Sequence, residues 1–222
     1  MLLRGFRVPV RFIAVHTETT PNPEALIFYL EKGKDVLGDQ FKSKQFTDKY
    51  SCSSSPLAMS LFKIHGVDSV LLGSKHITIK KKPEMAWSLI KPNLELVISQ
   101  FFETGMPVAR PDSLEPVSRD AKTTEIEGRI KGLLQERVRP FVQQDGGDIE
   151  FVGFDEESGF VTVRLQGACS GCPKSAVTLK LGIERMLKHY IPEITAVINV
   201  GDEEGGAKTE ADQEGEGEEN VK

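Results

Sequence analysis

Residues 167–175, Gly-Ala-Cys-Ser-Gly-Cys-Pro-Lys-Ser, are the stretch of sequence that decides the fold. They contain two of the three cysteines, Cys169 and Cys172, in a C-x-x-C spacing. A strand pattern at 160–165 precedes them and a helical pattern begins at Pro173, so we predict a strand-to-helix junction. Two cysteines are too few for a four-coordinate metal site. The pair therefore either performs redox chemistry alone or needs a second copy of itself.

The residues that flank the cysteines favour thiolate chemistry. Pro173 suits the first helical position, which places Cys172 at or beside the N-cap, where the positive end of the helix stabilises a thiolate. The small residues within 167–171 are expected to leave both sulfurs uncovered. They also let backbone N–H groups approach a thiolate or a sulfide. Soft thiolates select zinc, copper(I) or iron–sulfur clusters.

Three interpretations of the cysteine pair compete. A thioredoxin-like redox pair is disfavoured because no aromatic residue precedes Cys169 and no proline separates the cysteines. A closed zinc site needs two more ligands, and His189 lies at the far end of the predicted helix. An iron–sulfur cluster shared by two chains, with two thiolates from each, accounts for the shortage of ligands. The residues alone leave all three interpretations open.

Length and composition predict a soluble globular protein. The chain has 222 residues, of which 39% are hydrophobic and 27% charged, and no apolar run is long enough to span a bilayer. The net charge is −5, but residues 201–222 carry −7 and the rest +2, so no basic excess predicts nucleic-acid binding. Three cysteines form no even disulfide framework, which favours a reducing compartment.

The hydrophobic patterns predict an α+β fold with two domains. Residues 11–105 form the first domain, in which hairpins alternate with helices. Residues 106–122 contain Pro107, Pro111 and Pro116 among polar residues and are predicted to be a semi-rigid linker. Residues 123–200 follow the order α-β-β-α-β, with the cysteines between the second strand and the second helix. Residues 201–222 are acidic and Gly-rich and are expected to be disordered.

In the first domain, the turn chemistry of 20–23 predicts a hairpin that extends to Leu30. Residues 33–55 have loop composition, and Ser55-Pro56 is expected to begin a helix that Gly66 closes. A second hairpin is predicted around Gly73-Ser74. A second helix is predicted over 83–103, with Pro92 kinking or breaking it. Its candidate core residues are Met85, Leu89, Ile90, Leu96, Val97 and Phe101.

In the second domain, a possible capping box at Thr124 begins a helical stripe. Strands are predicted at 149–154, 160–165 and 194–200, and a helix is predicted from Pro173 to about His189. The residues of the first helical stripe are Ile126, Ile130, Leu133, Leu134, Val138 and Phe141. The core-facing residues of the second helix are Ala176, Leu179, Ile183, Met186 and Leu187.

The first residues have the profile of an organelle transit peptide. Arg4, Arg7 and Arg11 occur among apolar residues, and no acidic residue precedes Glu18. Pro9 interrupts any helix there, and the alternative is an ordinary lead-in to the first strand. We interpret residues 1–10 as a short targeting segment.

Several stretches resemble one protein family. Residues 141–149 (FVQQDGGDI), 165–173 (LQGACSGCP) and 178–184 (TLKLGIE) resemble the Nfu-type iron–sulfur scaffold domain, the C-terminal module of NifU. Residues 19–23 (TTPNP), 55–58 (SPLA), 64–67 (IHGV) and 87–92 (WSLIKP), with Leu61-Phe62, resemble the N-terminal domain of eukaryotic Nfu proteins. The resemblance covers nearly everything between Arg11 and Val200, in the domain order that the family uses.

This resemblance implies a carrier of iron–sulfur clusters, not an enzyme, in the mitochondrial matrix. Cys169 and Cys172 of each of two protomers would hold a [4Fe–4S] cluster within a homodimer, and a [2Fe–2S] form stays open. Upstream assembly factors would supply the cluster, and recipients would be apo-proteins such as lipoyl synthase or aconitase-like enzymes. No nucleic acid or membrane is implied. The alternatives are a thiol–disulfide oxidoreductase and a zinc-bridged structural dimer.

The remaining candidate residues are assigned structural roles. Cys52 lies in a serine-rich loop and is expected to be an incidental thiol. The histidines His16, His65 and His76 are scattered, so metal ligation is disfavoured. Asp145 and Asp148 flank two glycines, which favours a turn over an acid–base pair. Trp87 is predicted to belong to the core.

Overall fold

The computed structural model describes residues 13–48, 50–114, 125–170 and 173–200, without the side chains of 32, 112 and 173–177. These residues form two sheets with separate hydrophobic cores. The predicted targeting segment and acidic tail lie outside them. No helix among the described residues is long and apolar enough to cross a membrane.

The first domain is a five-stranded antiparallel sheet in the order β1-β2-β5-β4-β3. Its strands are β1 (Val15–Thr19), β2 (Ala25–Leu30), β3 (Lys44–Phe46), β4 (Val67–Leu72) and β5 (His76–Lys81). Its helices are α1 (Pro56–Leu61) and α2 (Trp87–Glu103). Both predicted hairpins are confirmed, as the antiparallel pairs β1–β2 and β4–β5.

One face of this sheet forms the core with both helices. Strand residues Leu26, Phe28, Leu72, Ile77 and Ile79 are buried together with α1 and α2. The helix α1 begins as predicted, because the hydroxyl of Ser55 accepts the N–H of Ala58 at 3.0 Å and Pro56 follows it. The helix ends at Leu61, so Gly66 comes after the chain has already left it.

The opposite face of the sheet is also buried, although it lies outside that core. We call it the outer face and define it by Ala25, Ile27, Gln45, Leu71 and Thr78. All of them except Gln45 are almost completely buried. Strand pairing places Ile27, Thr78, Leu71 and Gln45 side by side, in one row across β2, β5, β4 and β3. The second domain covers this row, as its contacts with the cysteine loop show below.

The structure corrects three expectations for the first domain. Residues 33–55 are not only loop, because they contain β3, which pairs with β4 through Gln45 and Leu71. The helix α2 begins at Trp87 rather than at 83, and it continues unbroken through Pro92. Its buried face is displaced from the predicted one. Ile90 and Phe101 are buried as expected, but Leu94 and Ile98 are buried whereas Leu89 and Leu96 are exposed.

The second domain has the predicted order α-β-β-α-β. Its strands are β6 (Gly147–Asp155), β7 (Phe160–Gly167) and β8 (Ala196–Asn199), with β6 antiparallel and β8 parallel to β7. Its helices are α3 (Glu125–Leu133), α4 (Arg139–Gln144) and α5 (Pro173–Tyr190). The crossover from β7 to β8 runs through α5, as a parallel pair requires.

A π-helical turn, Leu134–Val138, separates α3 from α4 and changes which residues are buried. Pro140 has no N–H to offer the carbonyl four residues earlier, and the wider turn accommodates it. The extra residue rotates the helix, so Val142 is 1% exposed and the predicted core residue Phe141 is 69% exposed. The prediction for Phe141 is wrong for this reason, whereas Ile130, Leu134 and Val138 are buried as expected.

The beginning of the predicted linker is attached to the first domain. The hydroxyl of Ser55 donates to the carbonyl of Val108 at 2.6 Å, and the N–H of Arg110 donates to the carbonyl of Ser54 at 2.8 Å. Ala109 is buried in the first core. Residues 106–114 therefore pack on the first domain, and 115–124 lie outside the described residues.

A pH dependence follows from His76 on β5, which is 6% exposed and whose Nε2 has no hydrogen-bond partner among the described residues. Burial lowers the pKa of His76 below 6.5, and the nearby Asp148 opposes that shift. The unfolded chain therefore binds a proton at His76 more readily than the folded chain does. As a result, the free energy of unfolding begins to decrease as the pH falls through 6.5.

We expect His76→Gln to flatten the pH dependence of the free energy of unfolding below pH 6.5, where one proton contributes up to about 1.4 kcal/mol per pH unit. Urea unfolding at several pH values between 7.5 and 5 measures this. His16→Gln, at an exposed histidine of the same sheet, is the control and should keep the wild-type slope. Equal slopes for His76→Gln and the wild type would contradict the expectation.

Candidate metal centre

The cysteine loop connects the end of β7 with the start of α5. The strand ends at Gly167 and the helix begins at Pro173, so the predicted strand-to-helix junction is confirmed. Cys169 lies in the turn between them. Gly171 and Cys172 lie outside the described residues, and so does the predicted N-cap role of Cys172.

Cys169 is enclosed more tightly than its small neighbours predict. It is 5% exposed and belongs to the core of the second domain, so the expectation of an uncovered sulfur is wrong for this cysteine. The reason is the approach of β6: a methyl group on Gly147 would lie 2.5 Å from the Sγ of Cys169 and 2.9 Å from the carbonyl oxygen of Gln166. Only a glycine leaves the sulfur this space.

The turn that brings Gly147 to the cysteine is fixed by an ion pair. The guanidinium of Arg139 donates from Nε and Nη2 to the two carboxylate oxygens of Asp148, at 2.8 and 2.9 Å. The Asp148 side chain is 4% exposed, and it also accepts the N–H of Ile149 at 2.8 Å. A bidentate pair of this kind holds a planar geometry as well as charge. The predicted turn thus contains Asp145 and Gly146, whereas Asp148 lies in β6, where its carboxylate binds Arg139.

Two glycines with positive φ let the turn and the loop touch. Gly146 has φ 78° and Gly167 has φ 66°, a region where a side chain is strained. The N–H of Ala168 donates to the carbonyl of Gly146 at 3.1 Å. The residues QQDGGD and LQGAC are therefore one structural unit, joined backbone to backbone beside Cys169.

The first domain supplies two side chains to this unit, and our sequence analysis predicts neither role. Nδ2 of Asn22 donates to the carbonyl of Ala168 at 3.1 Å, and the N–H of Gly167 donates to Oε1 of Gln45 at 2.9 Å. Asn22 was predicted only as a turn residue, and Gln45 lies in the segment that was predicted to be loop. Gln45 could have been found only by predicting β3, because the pairing of that strand with β4 places Gln45 on the outer face.

The other candidate residues lie away from the cysteine loop. Cys52 is buried in the core of the first domain, where its thiol donates to the carbonyl of Asp48 and burial raises its pKa. His189 lies near the end of α5 with its ring against Tyr190. Trp87 is partly buried against the first core and donates to the carbonyl of Pro23 at 3.0 Å. Among the described residues, no group of three or more His, Cys, Asp or Glu side chains could hold a metal.

A cleft of about 950 Å³ opens between the two domains beside the loop. It extends from Lys44 and Gln45 of the first domain to Arg139, Gln166 and Ser170 of the second. Its lining is mixed in charge. Beside this cleft the domains meet at the base of the cysteine loop, through Asn22 and Gln45.

Comparison with known proteins finds a family model for each domain. Residues 130–198 match the NifU-like domain, and residues 15–105 match the N-terminal domain of the scaffold protein Nfu/NifU. The solution structure of a NifU-like protein from Saccharomyces cerevisiae, at 30% identity, covers 45% of this chain and 87% of its own, with a TM-score of 0.42.

Similar full-length proteins extend the match across both domains. NifU-like protein 4, mitochondrial, of Arabidopsis thaliana is 43% identical over 202 residues, which cover 88% of this chain and 70% of that protein. The NFU1 iron-sulfur cluster scaffold homolog, mitochondrial, of Homo sapiens is 41% identical over 205 residues, which cover 92% and 78%. The two domain matches and these relatives agree in order and extent, and the chain belongs to the Nfu family of mitochondrial NifU-like proteins.

Proposed function

We propose that this iron–sulfur cluster scaffold holds one [4Fe–4S] cluster between two protomers and transfers it to apo-proteins. Cys169 and Cys172 of each protomer would supply the four thiolate ligands. The observation that carries the proposal is the position of Cys169 at the strand-to-helix junction, where a turn built from Gly146 and Gly147 makes room for its sulfur. Four thiolates are the usual ligand set of such a cluster.

The donor set fits a cargo that has to be released. A chain that contributes two thiolates gives up its share of a cluster by exchanging them one at a time for the thiolates of a recipient. No net oxidation or reduction is needed, because each iron–sulfur bond to the scaffold is replaced by an equivalent bond to the recipient. The protein then acts as a carrier, and apo iron–sulfur proteins are its partners.

The two cysteines should be needed for the cluster but not for the fold. Anaerobic reconstitution of the wild type is expected to give a dimer with about two irons per monomer, since four thiolates surround four irons. We expect Cys169→Ser and Cys172→Ser to abolish iron and sulfide retention with near-wild-type circular dichroism. The matched control is Cys52→Ser, which removes the buried thiol outside the loop and should load normally. Iron retention by the double variant of Cys169 and Cys172 would exclude the proposal.

The same experiment separates the two other chemistries. A colourless wild-type protein that turns over disulfides would identify a thiol–disulfide oxidoreductase. Zinc at one ion per dimer, without acid-labile sulfide, would identify a structural zinc bridge. Metal analysis, sulfide analysis and Mössbauer spectroscopy on one anaerobic preparation give all three results.

Gly147 is predicted to matter through the space that it leaves for Cys169. Gly147→Ala would push a methyl group against the sulfur and the Gln166 carbonyl, so we expect reduced iron loading and a loss of about 1–3 kcal/mol in stability from overpacking. Gly153→Ala, on the same strand, is the control because a methyl group there meets no atom within 4 Å. Wild-type iron content in Gly147→Ala would show that the contact does not position the ligand.

A further inference from the structure

The base of the cysteine loop is the surface on which the first domain sits. Cγ1 of Ile27 lies 2.6 Å from the position that a Cβ of Gly146 would take, and Cδ2 of Leu71 lies 2.6 Å from the corresponding position on Gly167. Both apolar side chains belong to the outer face. They reach the backbone of the second domain only because each meets a glycine there.

Two hydrogen bonds fix the orientation of the first domain on the cysteine loop. They join Asn22 to the carbonyl of Ala168 and Gln45 to the N–H of Gly167, the two residues that precede Cys169. The amide of Asn22 is oriented for this task, because its Oδ1 accepts the N–H of Glu24 at 3.0 Å and leaves Nδ2 to point at the loop. The first domain thus binds main-chain groups of the loop itself, rather than a remote part of the second domain.

The contact occupies one backbone donor close to the proposed ligand Cys169, the N–H of Gly167. Backbone N–H groups beside thiolate ligands donate to cluster sulfurs, and such hydrogen bonds tune the cluster. In this structure the N–H of Gly167 is engaged by Gln45 and that of Ala168 by Gly146. The N–H of Ser170 donates to the carbonyl of Gly167 at 3.2 Å. The loop is therefore arranged for contact within its own chain.

The contact is also of a kind that can open. Among the described residues it combines apolar side chains of the outer face with two neutral hydrogen bonds, and the cleft of about 950 Å³ lies directly beside it. Interfaces between domains of one chain behave like transient protein–protein interfaces unless they are large and hydrophobic. Each of the two hydrogen bonds contributes modestly, since an average one adds only ~1 kcal/mol.

We propose that the first domain is a reversible cap on the cysteine loop, and that the outer face must leave Gly146, Gly167 and Ala168 before two protomers can share a cluster. This inference rests on the proposed function. The docked arrangement is then the closed form, and the loop becomes available to a second protomer when the cap undocks. Asn22 and Gln45 are the residues that hold the cap closed.

The first test uses the apo protein, so it is independent of any cluster. Asn22→Asp keeps the oxygen that accepts the Glu24 N–H but removes the donor to Ala168. We expect amide hydrogen exchange of Gly167, followed by NMR, to become roughly five-fold faster, as the loss of one neutral hydrogen bond predicts. Leu71→Ala, which withdraws the side chain at Gly167, should act in the same direction. Amides of β5 report whether the first domain stays folded.

The control is Glu18→Gln, because Glu18 pairs with Ile27 in the same row of the sheet but is exposed. It should leave the exchange of Gly167 unchanged. Unchanged exchange of Gly167 in both Asn22→Asp and Leu71→Ala, with β5 protected, would overturn the cap.

The second test decides whether docking covers the loop or supports it. The rate of anaerobic cluster loading is measured for the wild type, Asn22→Asp and Glu18→Gln. A cap predicts faster loading for Asn22→Asp at the same final iron content. Slower loading would mean that the first domain positions the loop for the cluster, and would overturn the cap. Absence of a cluster in all three proteins would instead refute the proposed function and leave the exchange result standing.

Discussion

The close approach of two backbone segments, at Gly146-Gly147 and at Gly167-Ala168, is the constraint on which the rest of the structure depends. A side chain at Gly147 would collide with the sulfur of Cys169, and a side chain at Gly167 would collide with the Gly146 carbonyl and with Leu71. The Arg139–Asp148 ion pair keeps the first segment in place. The position of Cys169, the proposed ligand nearest to β7, follows from these contacts.

The same constraint links the two domains. Because the paired segments present glycines and bare backbone, the sheet of the first domain can lie directly against them, and two of its polar side chains complete their hydrogen bonds. If the base of the cysteine loop were exposed, water could make the hydrogen bonds that Asn22 and Gln45 make here. The arrangement therefore connects the first domain physically to the cysteine loop, although that domain contains neither of the two proposed ligands.

Local patterns in the sequence predict much of this architecture. The structure confirms the features that depend on neighbours in sequence. These are the turns around 20–23 and Gly73-Ser74, the Ser55-Pro56 cap and the α-β-β-α-β order. Two errors have local causes that periodicity does not detect. The π turn before Pro140 rotates the helix so that Val142 is buried in place of Phe141. The short strand β3 has no apolar run by which it could be predicted.

The remaining differences come from contacts between distant residues. The roles of Asn22 and Gln45 require the two domains to meet, over sequence separations of 146 and 122 residues for the two hydrogen bonds. No pattern within one domain specifies such a pair. The burial of Cys169 requires Gly147 of β6 to lie against its sulfur. The C-x-x-C spacing and the family resemblance predict the chemistry of the site, whereas the enclosure of Cys169 is visible only in three dimensions.

The central claim is that each chain supplies only two of the four thiolate ligands, so that the cluster can be transferred to an apo-protein. Native mass spectrometry of the anaerobically reconstituted protein tests this most directly, because it weighs the assembly and its inorganic content together. The account predicts one species that contains two chains, four irons and four sulfides, and single chains without iron once the cluster is given to an apo-protein. A single chain that carries a complete cluster would contradict it.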